Sequence, residues 1–392
     1  MQQRFFVLIM GLIVLTACQP EIVQVEVTRT VVETAVTQVT RIVTEISTTE
    51  VTRVVPEEIV LEVTKSPLGS EVRPVQLLFP PVAETAVISE RGAELAQALS
   101  DATGRRFVVG ILDNEQAVID MLCNAPQDTI GFITATAYVL AAEQCDVQVG
   151  NVAVHADQYP WQTGMIVTRR DSGINELEDL EGKSWAVADD TSISNFLYFQ
   201  ALLNDAGIEP GEIIEVSGDS AAMLAVLNQE ADFATASYIP PIMPYEERLW
   251  EYGEDNPEPT RHLGLPATRS PIGYVLVNGE PEFGGYRLRD ARSRIFDVEP
   301  EIFDRTKIIT LSAPIPNETI AFGADFPIGL ARDVVVILTE LAGGEACATS
   351  LCAADFYAWA GLQMANDVNY APLRFVQTTL NLAPEEVLNA TQ

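Results

Sequence analysis

From Val72 onward, short apolar runs alternate with segments whose apolar residues recur at helical spacing. The runs 75–79, 107–112, 129–134, 165–168, 184–188, 213–216, 233–236, 307–311 and 319–322 read as strands. Between them, 84–103, 115–123, 135–143, 194–206, 221–229, 328–341 and 353–365 read as helices, with Gly104 as a stop for the first. Repeated strand–helix units imply an α/β fold with parallel sheet flanked by helices. The series runs twice, which suggests two lobes: 71–166 with 317–385, and 167–316. An insertion rich in Pro, Glu and aromatic residues interrupts the second lobe from about 240 to 300. Ligands favour the crevice between such units, at the carboxyl ends of parallel strands.

The first seventy residues follow a different pattern. Arg4 precedes the apolar run 5–15, which is too short to span a bilayer comfortably. A charged start, an apolar centre and small residues before a cut describe a signal peptide over 1–17. Leu15-Thr16-Ala17-Cys18 resembles the bacterial lipobox, in which the cysteine is lipidated; the alternative is an ordinary signal peptide with a chance cysteine. Residues 18–70 would then be the anchor and a stalk rich in Val, Thr, Ile and Glu. The triplet Val-Thr-Arg recurs at 27–29, 39–41 and 51–53. β-branched residues favour extended chain over free helix. Such a stalk is either a passive spacer or a segment that associates with its own copies.

Composition narrows the function. A formal net charge of −33 argues against a nucleic-acid partner, which needs a basic surface. Beyond Cys18, the cysteines are Cys123, Cys145, Cys347 and Cys352. An even count in an exported chain suggests disulfides. Sequence proximity favours Cys123–Cys145 and Cys347–Cys352, although three connectivities are open and free buried thiols are the alternative. His155 and His262 are the chain's two histidines, and neither lies near the Cys347-x4-Cys352 pair, so no zinc site is expected. There is no Gly-x-Ser-x-Gly elbow and no phosphate-binding loop of the Gly-x4-Gly-Lys type. No cofactor and no enzyme activity are expected.

The most informative stretch runs from Asp179 to Leu197. A strand ends near Ala188, a hydroxyl-rich turn follows, and a helix begins. Helix N-termini carry free N–H groups and partial positive charge, and hydroxyls beside them can donate to an oxyanion. Equally, Ser192 or Ser194 can simply cap the helix. Asp179-Leu180-Glu181-Gly182-Lys183, a strand and this turn together resemble the phosphate/phosphite/phosphonate-binding proteins of ABC transporters. Ala137-Tyr138-Val139, Arg170-Asp171-Ser172-Gly173-Ile174, Leu224-Ala225-Val226-Leu227-Asn228 with Ala231-Asp232, and Ser312-Ala313-Pro314-Ile315-Pro316-Asn317-Glu318 agree with that family in order and spacing.

The resemblance spans about 72–382 and implies a type II periplasmic-binding fold whose two lobes close on a ligand. It carries over Tyr138, Ser192 and Ser194 as ligand contacts, with Thr191 and Thr136 as hydroxyl neighbours. Ile193 stands for the family's threonine, Asn195 for its glycine and Asp219 for a frequent histidine. Ser237 stands where an acidic or amide residue is expected. Asn195, Asp219 and Ser237 therefore join the candidate ligand residues. Asp219 either touches ligand or caps the following helix, Tyr138 either touches ligand or is an ordinary buried tyrosine, and Trp161 either walls the cleft or packs in the core. The implied function is a solute-binding lipoprotein that captures a small oxyanion and delivers it to an ABC permease. The chain is expected to act as a monomer held at the membrane by a lipid anchor. A ligand sensor signalling to a membrane receptor, or a binder of a non-phosphorus solute, is the alternative.

Overall fold

The computed structural model describes residues 65–278 and 285–391; Cys18, the signal sequence and the stalk up to 64 lie outside the described residues. The strands are β1 (Val75–Phe79), β2 (Phe107–Ile111), β3 (Thr129–Ile133), β4 (Gln148–Val154), β5 (Trp161–Arg169), β6 (Trp185–Val187), β7 (Ile213–Glu215) and β8 (Phe233–Tyr238). β9 (Thr268–Arg269), β10 (Val275–Asn278), β11 (Gly285–Leu288), β12 (Thr306–Leu311), β13 (Ile315–Pro316), β14 (Thr319–Phe322) and β15 (Gly361–Met364) follow. One sheet has the order β15-β4-β14-β3-β1-β2, and a second has β12-β5-β8-β6-β7 with β13 paired to β5.

Helices cover both sheets. In the first unit these are α1 (Thr85–Thr103), α2 (Glu115–Asn124) and α3 (Ala135–Cys145); in the second, α4 (Tyr198–Asp205) and α5 (Asp219–Leu227). α1 buries Ile88, Leu95 and Leu99 on one stripe, the spacing that let the sequence announce it. It ends where Gly104 turns left-handed at φ 67°. Val75, Leu77 and Phe79 of β1 are fully buried. Each such side chain contributes about 1.5–3 kcal/mol of burial free energy, which drives the sheet and its helices together.

Several expectations change. Segment 353–365 is not a helix: Ala358 has φ 53°, and Gly361–Met364 pairs antiparallel with β4. Its alanine-rich composition favours helix, but β4 offers an open strand edge, and ladder bonds there outweigh weak local propensity. β4 itself, and the helices Ala371–Leu380 and Pro384–Asn389, lie outside the elements that the sequence pattern predicts. The insertion is not wholly irregular, since β9, β10 and β11 form a small antiparallel sheet within it.

β5 starts at Trp161 and pairs with β8 from Thr163 onward, so residues 161–166 belong to the second sheet, not the first. The chain passes between the sheets at 155–160 and again at 317–318. These crossings are stitched together by Asn317, which is 1% exposed. Its side-chain amide donates to the carbonyls of Ala153 at 3.0 Å and Tyr159 at 2.9 Å, and its backbone N–H donates to Pro160. Two disulfides brace the periphery of the first unit. Cys123–Cys145 joins the ends of α2 and α3 with Cα atoms 5.5 Å apart. Cys347–Cys352 closes a short turn with Cα atoms 4.9 Å apart.

Candidate functional site

The carboxyl ends of β6, β7 and β8 define the crevice edge of the second sheet. The turn after β6 runs through 188–192 into a wide π-type turn, Ile193–Leu197, that continues as α4. Such a widened turn is uncommon and often marks functional positions. Gly164 of β5 lies directly beneath it. A Cβ there would overlap the Ser194 carbonyl and stand 2.9 Å from Asn195 Oδ1, so only glycine permits this approach.

Four candidates meet at this edge. The Ser194 hydroxyl donates to Asn195 Oδ1 at 3.3 Å. The Asn195 side-chain amide donates to the Ser237 hydroxyl at 3.1 Å. The Ser237 N–H donates to the Asp219 carboxylate at 3.2 Å. Arg294 pairs with the same carboxylate at 3.5 Å. Asp219 does not cap α5: Gly218 holds the N-cap position, and the Asp219 carboxylate reaches across to β8 instead. Its negative charge is thereby offset by a guanidinium distant from it in sequence.

The other candidates do not join this linked set. Ser192 caps the turn, its hydroxyl oxygen accepting from the Asn195 N–H at 3.3 Å. Thr191 is exposed, and both its N–H and its hydroxyl donate to Asp189. Tyr138 is 1% exposed, and its hydroxyl donates to Asp367 at 2.7 Å. It is the buried tyrosine of the alternative reading: no surface remains for a ligand. Burial, then the bond to Asp367, pushes its phenol far above the usual range.

The facing edge of the first sheet lies at the ends of β2, β3 and β4. There Glu115 accepts from the N–H and the hydroxyl of Thr134, each at 2.8 Å. Burial raises its carboxyl above the usual range, against the two bonds from Thr134. The Thr136 hydroxyl lies 2.9 Å from that of Thr134. At the crossing, His155 pairs with Glu318 at 2.7 Å. Trp161 is half-buried, its ring 4.6 Å from Tyr159 and 6.3 Å from Tyr252. A separate shallow depression lined by Gly69, Ser89, Gln97, Arg105 and Phe107 follows the open edge of β2, away from this crevice.

Residues 77–370 match the family model described as the periplasmic substrate-binding protein of a phosphonate ABC transporter.

The chain belongs to this family.

Family membership makes it a transport component that binds small solutes outside the cytoplasm and works with a permease. Among solved structures, a binding-protein component of an ABC phosphonate transporter from Pseudomonas aeruginosa is 16% identical, over 82% of this chain and 92% of its own, with a TM-score of 0.37. PhnD1 from Prochlorococcus marinus, in complex with methylphosphonate, is 12% identical, over 78% and 98%, with a TM-score of 0.37. A Xanthomonas citri protein bound to ATP is 12% identical, over 81% and 99%, with a TM-score of 0.45. No curated protein matches the chain in sequence. No helix among the described residues is long and apolar enough to cross a membrane.

Proposed function

We propose that this chain is the solute receptor of an ABC importer and that its solute carries a small oxyanion, such as phosphate, phosphite or a phosphonate. Residues 71–160 with 317–385 would form one lobe and 161–316 the other, closing about the crossings at Asn317. The observation that supports the oxyanion is the linked set Ser194, Asn195, Ser237 and Asp219, completed by Arg294. The half-buried Asn195 amide and Ser237 hydroxyl stand at the crevice edge, the buried Ser194 hydroxyl holds Asn195 from behind, and Arg294 offsets the one carboxylate among them. Neutral donors are what a chain of net charge −33 needs to hold an anion locally against its own field. Attachment to the membrane would be through a lipid on Cys18.

Glu115 favours a second reading. It places a partly buried carboxylate on the facing edge, where a cationic group of the solute would be held. Thermal-shift and calorimetric titration of the full chain with phosphate, phosphite, methylphosphonate and small amines separates the two. Stabilisation by a phosphorus oxyanion supports the first reading. Stabilisation by amines alone removes it and leaves the family assignment intact.

A further inference from the structure

The segment that ends the described chain returns to the turn after β6. Ile193 N–H donates to the Thr391 carbonyl at 2.8 Å, and Thr391 N–H donates to the Thr191 carbonyl at 2.9 Å. The Thr391 hydroxyl donates to Asp189 at 2.8 Å. Thr391 thus pairs with Ser192 as a one-residue parallel bridge. Just before it, the helix Pro384–Asn389 packs on α3 of the first unit. Ile193 is 2% exposed and lies in the same apolar cluster as Tyr138, Val387 and, at its margin, Leu388 and Ala390. A threonine in place of Ile193, as the family resemblance would have it, would bring a hydroxyl into this apolar contact.

We infer that residues 384–391 are a strap that ties the solute-binding turn of the second lobe to α3 of the first and keeps the Ile193 N–H from solute. This rests on reading that turn as part of the solute site. A backbone N–H that points at a Thr391 carbonyl cannot also serve an oxyanion, so solute must displace the strap to gain that donor. Apparent affinity scales with the fraction of molecules in which the strap is released. Apolar packing of Ile193 holds the strap in register, and the bonds at Thr391 lock it.

The test compares the full chain with the same chain stopped after Asn389 and with Thr391→Pro, which removes both the N–H and the hydroxyl. Thr391→Val keeps the backbone bonds and loses the hydroxyl's bonds to Asp189 and to the Thr191 hydroxyl. Amide exchange over 189–195 is measured without solute, and methylphosphonate and inorganic phosphate are then titrated. The expected result is faster exchange in the stopped chain and in Thr391→Pro, an intermediate rate in Thr391→Val, and binding at least about tenfold tighter once Thr391 no longer holds the turn. Unchanged exchange overturns the strap, as does oxyanion binding that is equal or weaker without it. Faster exchange with no oxyanion bound by either form upholds the strap as a link and refutes the oxyanion reading.

Discussion

The Asn195 side-chain amide donates to the Ser237 hydroxyl at 3.1 Å, joining the turn after β6 to β8. Asn195→Ala is expected to weaken oxyanion binding by about 1 kcal/mol, the net worth of one such bond. Asn195→Asp places a carboxylate at the same point and is expected to abolish it. Calorimetric titration with methylphosphonate reads both. An aspartate variant that binds as tightly as the parent chain would mean that no anion sits there.

Gly164 carries a second expectation. Gly164→Ala forces the β5 backbone and the Ser194 carbonyl apart. The cost is about 1–3 kcal/mol of stability, because the obstacle is backbone rather than a flexible side chain. Denaturant unfolding measures the loss, and solute affinity should fall with it as Asn195 shifts away from Ser237.

Tyr138 and Asp367 separate stability from binding. Tyr138→Phe removes a buried hydroxyl's bond to a carboxylate whose side chain is 56% exposed. Water can replace the donor on the carboxylate, so the expected cost is about 1 kcal/mol, near the mean for one bond. Solute affinity should stay unchanged, because Tyr138 has no open surface. A large loss of affinity at unchanged stability would return Tyr138 to the ligand site.

The Cys123–Cys145 bond spans a sequence separation of 22 residues. Replacing both cysteines by serine should lower stability by about 3 kcal/mol, as expected for closing a loop of that size. Thermal unfolding of the variant beside the parent chain checks it.

His155 sits at a crossing and responds to pH. Its bond to Glu318 holds the imidazole proton above the usual value, with burial opposing. The folded state therefore binds that proton more tightly than the unfolded chain. The contribution is fully present below the unfolded value of about 6.5 and is lost as pH rises through the raised folded value. Both side chains are partly exposed, so the effect should stay below about 1 kcal/mol. Denaturant midpoints between about pH 5 and 8 should decline with pH in the parent chain and flatten in Glu318→Gln.

Much of the fold was legible because strands such as β3 and β14 are buried throughout and read as apolar runs. Val75–Phe79 and Thr319–Phe322 emerge with the boundaries the sequence suggested. Gly104 stopped α1 for a local reason, its left-handed conformation. β15 was not legible, since Gly361–Met364 is a strand only because β4 lies beside it. The site divides in the same way. The hydroxyl turn announced itself, and so, in principle, did Gly164, a lone glycine inside an apolar strand. Arg294 and Thr391 gave no signal, being far in sequence from the residues they touch.

By itself, the sequence determined the α/β series, the turn between β6 and α4, and the departures at Ile193, Asn195 and Asp219. The first two are properties of residue type and of spacing along the chain, and the departures rest on the resemblance to a known family. Only the tertiary structure decided what the departures do: Ile193 is buried beside Val387, Asn195 reaches Ser237, and Asp219 pairs with Arg294. Each of these depends on which distant segments the two sheets bring together, and spacing along the chain carries no record of that.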